Sequence, residues 1–410
     1  MHHLSKITYL LFILTVSFWA VSCSEHETLS EQDLRGNVNV SAEIKKNYVV
    51  STRAEADGGG EEIEPEYLVD AGEKAESVYD LQFDDTSVLF VSQMTEDSNP
   101  FITDGSIFSY QYFNEGEETG WLDPPEGPGG YNFTPRVNTI PLEWKDIKAT
   151  GYYQNGYALY ALYYPVDNTI RYDVETDQSS VESLMKCDVL GAYHSTSALF
   201  TRIKFNLFHL LVYLKVTVFV PIYDETSKTG YFSDAFQEAT LLNAYKDFVI
   251  DWSAIRSSDT EGPVTIYNTA GERSDIIMYA HPRDVDTDKI VDLRYKDYLN
   301  DTFTEQPVVG DYDKVRVMNF SVIVPAQPGD FAQSDFFKFV FRTPSGEDKA
   351  YFFNFSQYAG GTNSDIKMSQ GTLQHFILYL PRKGRQAVLM NADVKNWEDY
   401  YTELPLSPDN

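Results

Sequence analysis

Histidine, the side chain most often used as a catalytic base or metal ligand, is scattered along this chain. The chain contains no H-E-x-x-H, C-x-x-C, G-x-S-x-G, P-loop or dinucleotide-binding glycine pattern. His209 lies in an apolar stretch, where we expect a core or turn histidine hydrogen-bonded to backbone. We therefore predict no catalytic residue, no cofactor and no enzymatic activity. The histidines after residue 22, none of them paired at metal-ligand spacing, are His26, His194, His209, His281 and His375.

Three aspartates at alternate positions, Asp284, Asp286 and Asp288, begin like a calcium-binding loop. Lys289 then stands where an EF-hand needs glycine, and Tyr295 stands where it needs a bidentate glutamate. The segment is not an EF-hand, and we predict no metal site. A looser surface Ca²⁺ site on the same carboxylates remains an open alternative.

The two cysteines of the chain have different expected roles. Cys23 follows Lys6, an apolar run from Ile7 to Trp19 and three small or apolar residues, which is typical of a secretory signal peptide over residues 1–22. The residues before Cys23 resemble the lipobox of bacterial lipoproteins, in which the cysteine is acylated. The alternatives are an ordinary signal peptide with an incidental cysteine and a retained anchor helix. The apolar run is shorter than the ~20 residues that an anchor helix needs to span a membrane. Cys187 would then have no disulfide partner, and we expect it to be buried.

Residues 23–53 are predicted to be a propeptide or tether. Arg53 precedes Ala54 and a stretch rich in glycine and glutamate, where a trypsin-like protease would find an accessible bond. Taken alone, these residues favour a flexible tether with an unremarkable arginine. The same segment contains two pieces that could form β-strand, and the apolar residues of this predicted removable strand are Val38, Val40, Ile44, Tyr48 and Val50.

Composition narrows the class of protein further. The 410 residues include 62 Asp and Glu against 32 Lys and Arg, for a net charge of −30. This charge opposes binding to nucleic acid, which needs clustered cations, and suits a protein that works outside the cell. The 15% aromatic content favours strands over helices.

Short apolar-aromatic runs separated by Gly, Pro, Asn and Asp predict an all-β protein built from consecutive β-sandwiches rather than barrels. Clear examples are Ser87 to Ser92, Ile107 to Phe113 and Tyr157 to Pro165, whereas Phe236 to Phe248 fits helix or strand. We place an N-terminal domain at residues 54–195 and a C-terminal domain at residues 196–410.

The ordered set of these signals resembles the fimbrillin family of Bacteroidetes, the FimA/Mfa-like surface pilins. The matching pieces cover most of the chain after the signal peptide. They are the lipobox at Cys23, Thr52-Arg53-Ala54, Tyr160 to Pro165, Asp188 to Ala192, Phe205 to Leu211 with Val216 and Val218, Val324 to Gln327, Gly371, and Ala392 to Trp397.

The resemblance implies two transthyretin-like β-sandwich domains and assembly by strand exchange. The precursor would be held in the outer membrane by lipid on Cys23, and cleavage after Arg53 by a trypsin-like protease would remove the first strand. A strand of another pilin subunit would fill the vacated groove. The C-terminal tail, with Tyr400, Tyr401 and Leu404, is the candidate donor, although Pro405 and Pro408 shorten it.

We therefore expect a stalk, tip or accessory subunit of a cell-surface fimbrium that serves adhesion, with a host or bacterial surface receptor as a further partner. The alternative is a lipid-anchored surface protein that binds a glycan or host ligand and never polymerises. Exposed Tyr and Trp around Trp121 to Tyr131 could stack on a sugar in that case. The fimbrial hypothesis requires cleavage at Arg53, whereas the anchored ligand-binding protein must keep its tether.

Overall fold

The structure is a computed structural model, and its description covers fourteen segments of the chain. They are residues 38–44, 86–93, 107–112, 131–143, 157–165, 169–196, 202–251, 261–268, 271–281, 290–294, 312–328, 334–354, 368–382 and 384–396.

Within these segments nearly all regular structure is β-strand, which confirms the all-β prediction. The strands are β1 (Asn39–Ile44), β2 (Val88–Gln93), β3 (Ile107–Tyr112), β4 (Tyr131–Pro135), β5 (Tyr157–Tyr163), β6 (Leu190–Thr196), β7 (Arg202–His209), β8 (Val212–Pro221), β9 (Phe236–Tyr245), β10 (Phe248–Asp251), β11 (Glu261–Gly262), β12 (Thr265–Asn268), β13 (Arg273–Ile277), β14 (Tyr279–Ala280), β15 (Ile290–Arg294), β16 (Tyr312–Val324), β17 (Phe337–Arg342), β18 (Asp348–Phe353), β19 (Thr372–Tyr379) and β20 (Val388–Asn396).

One short helix, α1 (Val181–Lys186), leads into β6. Ser180 caps its N-terminus: the Ser180 hydroxyl accepts from the Ser183 backbone N–H, and the Ser183 hydroxyl accepts from the Ser180 backbone N–H. This reciprocal pair satisfies two backbone donors that would otherwise lack partners. The helix sets the position of Cys187, which directly follows it.

The first sheet closes on itself. Its strand order is β11-β6-β5-β2-β3-β4-β1-β7, and β6 also pairs with β7 through Leu190–His209 and Gly191–Phe208. Strands β1 to β7 thus form a continuous hydrogen-bonded ring, which we call the closed sheet. Beyond Gly191, β6 pairs with β11 instead. A closed ring leaves no free strand edge between its members, which is the strongest protection against unwanted strand pairing.

Alternate residues of the closed sheet point to its inside and form one apolar cluster. Tyr110 of β3, Phe133 of β4 and Phe205 of β7 supply the largest side chains. The other faces of β2 and β5 belong to a second cluster that continues into the rest of the molecule. The sequence pattern predicts these alternating faces but not the closure, because the pairing of β6 with β7 depends on residues well apart in the chain.

Of the remaining strands, β10 and β12 form a separate two-stranded sheet and the others form a β-sandwich. A six-stranded sheet (β14-β16-β8-β19-β20, with β15 on β16) faces a four-stranded sheet (β13-β9-β17-β18). Phenylalanine rings pack against each other between the two sheets. The ring centroids of Phe320 of β16 and Phe236 of β9 are 5.2 Å apart. Those of Phe337 of β17 and Phe376 of β19 are 5.4 Å apart. Aromatic pairs at these distances add to the stability that burial alone provides.

The structure adds two details to the predicted layout. The closed sheet runs on through β7, so the change from one sheet to the other falls between His209 and Val212. Residues 236–248, ambiguous in the sequence, form β9 and the start of β10, because β9 finds β13 and β17 as partners on its two sides. The assignment of residues 54–195 and 196–410 to separate domains stays a prediction, as does the transthyretin-like arrangement.

Candidate functional site

The first of the described strands, β1, lies inside the closed sheet between two strands that come much later in the chain. Strand β1 pairs antiparallel with β4 through Val40–Phe133, Ser41–Asn132 and Ala42–Tyr131. On its other side it pairs in parallel with β7, from Asn39–Arg202 to Ile44–Leu207. Both edges of β1 are therefore used. We call the space between β4 and β7 that β1 fills the strand slot.

The inward side chains of β1 complete the apolar interior of the closed sheet. Val38, which directly precedes the strand, is 0% exposed, Val40 is 2% exposed and Ala42 is 0% exposed. They belong to the same cluster as Phe133 and Phe205 on the walls of the slot. Fully burying a valine side chain stabilises a fold by about 1.5–3 kcal/mol, so β1 contributes substantially to this core.

The N-terminal end of β1 is fixed by backbone hydrogen bonds on both polar groups of Val38. Its N–H donates to the Leu142 carbonyl at 2.8 Å, and its carbonyl accepts from the Tyr110 hydroxyl at 3.1 Å. Burial raises the pKa of the Tyr110 phenol, so the hydroxyl stays protonated and remains a donor. These bonds fix the register of β1 at its N-terminal end.

The outward face of β1 carries an ion pair with the slot. The Lys204 ammonium of β7 contacts the Glu43 carboxylate, and the two side chains are 27% and 29% exposed. Lys204 is the register partner of Ser41, so the pair crosses diagonally between the two parallel strands. Partial burial reduces the screening that makes fully exposed ion pairs weak.

The structure places part of the predicted removable strand in this site. Val40 and Ile44 lie in β1 and Val38 adjoins it, although nothing is described of the Ile44 side chain. The predicted sites that lie outside the described residues are Tyr48, Val50, the lipid attachment residue Cys23, the processing residues Arg53 and Ala54, and the donor-tail residues Tyr400, Tyr401 and Leu404.

Sequence reasoning did not identify the walls of the slot. Ile203, Phe205 and Leu207 alternate as inward residues of β7, and this period of two was visible in the sequence. What it could not reveal is that β7, more than 150 residues further on, is the strand beside β1. Nothing in the sequence distinguishes Lys204, because an outward lysine in a strand is usually only a solvated residue.

A buried histidine–carboxylate pair lies where β6 pairs with β7 and closes the sheet. His209 Nδ1 lies 2.9 Å from Asp188 Oδ1, and the side chains are 3% and 0% exposed. His209 was expected to bond to backbone, and the structure shows a carboxylate among its partners. The sequence separates these residues by 21 positions, and the pairing of β6 with β7 brings them together.

Cys187 is a buried, hydrogen-bonded thiol, as predicted from its apolar surroundings. Its S–H donates to the Ser183 carbonyl, and its sulfur accepts from the Glu175 backbone N–H, both at 3.2 Å. Burial raises the pKa of the Cys187 thiol to about 12.

We expect Cys187 to resist alkylation in the native protein. At pH 8 the thiol is protonated, and only the thiolate is an effective nucleophile. Iodoacetamide treatment followed by intact-mass measurement should show almost no modification at Cys187 without denaturant and complete modification in 6 M guanidinium chloride. The stability contributed by the protonated thiol should also fall as the pH rises from about 9 towards 12, because the unfolded thiol ionises first. Rapid alkylation of the native protein would contradict the observed burial.

Among the residues that the structure describes, no group of three or more His, Cys, Asp or Glu side chains could hold a metal ion. The aspartates of the 284–288 segment lie outside those residues. No helix in the described part of the chain has the length and apolar character needed to cross a membrane.

No protein-family model matches the chain. No curated protein matches it either.

Solved structures do align over most of its length, at low identity. A proposed cell adhesion protein from Bacteroides ovatus is 9% identical with a TM-score of 0.42, covering 88% of this chain and 98% of its own. The fimbrial anchor protein Mfa2 from Porphyromonas gingivalis is 10% identical with a TM-score of 0.32, over 88% and 98%. The tip fimbrial protein Mfa3 from the same organism is 8% identical with a TM-score of 0.32, over 77% and 95%. Two of these three proteins are named as fimbrial proteins and the third as a cell adhesion protein.

Proposed function

We propose that this chain is a structural subunit, stalk or tip, of a cell-surface fimbrium that serves adhesion. In this proposal the precursor is anchored in the outer membrane by lipid on Cys23. A trypsin-like protease then cuts after Arg53, the segment carrying β1 leaves, and a strand of another subunit enters the slot. The placement of β1 is the observation that carries the proposal.

Three properties of β1 suit a strand that is replaced after folding. It precedes every other described strand, so a single cut between β1 and β2 can release it together with everything that precedes it. Arg53 follows Ile44 by nine residues, so a cut there leaves the rest of the closed sheet in one piece. The strand also has neighbours on both sides, and its loss would uncover two strand edges and an apolar interior at once.

The physical consequence of losing β1 is a strong tendency to capture another strand. Uncovered backbone N–H and C=O groups of β4 and β7 form a template for strand pairing, and the vacated positions of Val38, Val40 and Ala42 accept alternate apolar side chains. Strand addition of this kind takes its affinity from main-chain hydrogen bonds and its specificity from side-chain pockets. Polymerisation then needs no external energy source, because filling the slot with a new strand restores the pairing and burial that were lost with β1.

The proposal predicts that a cut at Arg53 starts assembly. Recombinant protein beginning at Ser24 should lose the segment up to Arg53 when it is treated briefly with an arginine-specific protease. Intact-mass measurement identifies the cut, and an unheated SDS gel of the same sample should show a ladder of SDS-resistant oligomers.

An Arg53→Gln variant is the matched control and should give neither the loss nor the ladder. A cut without a ladder would contradict self-polymerisation and would restrict the chain to a tip position. Resistance at Arg53 while bonds elsewhere are cut would overturn the activation model and favour the anchored ligand-binding protein.

A further inference from the structure

Lys204 stands on the wall of the strand slot, where any strand in the register of β1 must pass it. It is on β7, faces outward, and contacts the Glu43 carboxylate of the resident strand. Of the alternate positions of β7 around Lys204, Asn206 and Phe208 are uncharged, and Arg202, the register partner of Asn39, carries a second positive charge. At the position of Glu43, the charge of a strand in the slot is in direct contact with a charge of the wall.

The charge of the whole chain makes this local cation more important. At a net charge of −30, two copies of this chain, or this chain and a subunit of similar composition, repel each other as they approach. A carboxylate on the incoming strand at the position of Glu43 would regain the attraction to Lys204. A lysine or arginine there would face like charge at a partly buried site, and like-charge contacts act mainly against wrong partners.

We propose that Lys204 is a specificity-determining residue of the strand slot and selects a donor strand with Asp or Glu at the position of Glu43. The occupant is a strand of another subunit that runs parallel to β7. It carries small or branched apolar residues at the positions of Val38, Val40 and Ala42, and an acidic residue directly after the last of these. This inference rests on the proposed strand exchange, and it adds the chemistry of the strand that is accepted.

The test uses two labelled peptides that cover residues 36–46, one with the native Glu43 and one with the Glu43→Lys change. The chain beginning at Ser24 is cut with an arginine-specific protease, the protease is inhibited, and each peptide is added in excess. Incorporation is followed by fluorescence after gel filtration. We expect the native peptide to enter about tenfold better than the Glu43→Lys peptide at low salt, and the ratio to shrink in 1 M salt, where the Debye length is about 3 Å.

The decisive variant is Lys204→Glu, for which the preference should reverse in favour of the Glu43→Lys peptide. A chain with both Lys204→Glu and Glu43→Lys keeps a paired precursor and should show the same reversed preference, which excludes a loss of folding as the cause. The matched control is Lys338→Glu, which breaks a similar pair, Lys338 Nζ to Glu238 Oε1 at 2.9 Å, in the sandwich. It should leave the preference unchanged.

The outcomes separate this inference from the proposed function. If both peptides enter equally well, or if the preference is the same in Lys204→Glu, the selective role of Lys204 is overturned while strand exchange stands. If neither peptide enters any of the cut chains, strand exchange itself is overturned, and the inference falls with it.

Discussion

A chain that begins at Ala54, and so lacks β1, is expected to unfold at a much lower urea concentration than a chain that begins at Asn37. Val38 and Val40 alone should account for about 3–6 kcal/mol of the difference, because both side chains are buried inside the closed sheet. The lost pairing with β4 and β7 adds to this effect. Urea titration at low protein concentration, followed by tryptophan fluorescence and far-UV circular dichroism, gives the two midpoints.

Adding the peptide of residues 36–46 should restore most of the lost stability. A ligand that binds only the folded state stabilises it in proportion to the logarithm of its concentration over its dissociation constant. The chain that begins at Asn37 is the control, since it lacks only residues before the slot and should match the chain that begins at Ser24. Equal midpoints for the chains beginning at Asn37 and Ala54 would show that β1 contributes little to the core.

Replacing Asp188 with leucine is expected to give the second large loss of stability. The Asp188 carboxylate and His209 are both buried and in contact, and the substitution leaves the Nδ1 of His209 without this acceptor. Loss of a buried hydrogen-bond partner costs about 1–3 kcal/mol. Because the pair lies where β6 joins β7, the loss also weakens the seal of the closed sheet. Urea denaturation measures the free energy of unfolding directly.

Two further variants separate the hydrogen bond from other effects at this position. Asp188→Asn keeps an acceptor oxygen near His209 Nδ1 and should lose less stability than Asp188→Leu. Combining Asp188→Leu with His209→Leu removes both polar partners, so the double variant should be more stable than the sum of the single losses predicts. Additive losses would show that the contact between the two side chains contributes nothing.

The sequence predicts the local part of this architecture well and the long-range part poorly. Alternation of apolar residues locates β2, β5 and the inward valines of β1, because a strand with one buried face must repeat every two residues. It does not reveal that β1 lies beside β7, since that pairing depends on register between segments far apart in the chain. The ambiguous run that became β9 shows the same limit, because its partners on both sides decided its structure.

The extent of the closed sheet and the contact between His209 and Asp188 could not be read from the sequence for a related reason. A Ser/Thr stretch near residue 195 is a linker signal in the sequence, and it does not reveal that the closed sheet also includes β7, which ends at His209. His209 itself is surrounded by apolar residues in sequence, and only the pairing of β6 with β7 shows that a carboxylate lies next to it. Lys204 is likewise recognised as part of the strand slot only from its contact with Glu43 in the structure.

The central claim is that β1 must leave the slot before the chain can assemble, and a disulfide lock tests it most directly. Asn39 and Arg202 are register partners on β1 and β7, so cysteines at these positions have the close spacing of backbones that a disulfide requires. In an Asn39→Cys/Arg202→Cys chain that begins at Ser24, oxidation would tie β1 to the slot even after the cut at Arg53.

We predict that the cut, oxidised chain stays monomeric on an unheated SDS gel and forms the oligomer ladder once dithiothreitol is added. The buried Cys187 should not interfere, and the same variant kept reduced throughout provides the control. An equally strong ladder before and after reduction would contradict the account, because it would show that the chain assembles while β1 still fills the slot.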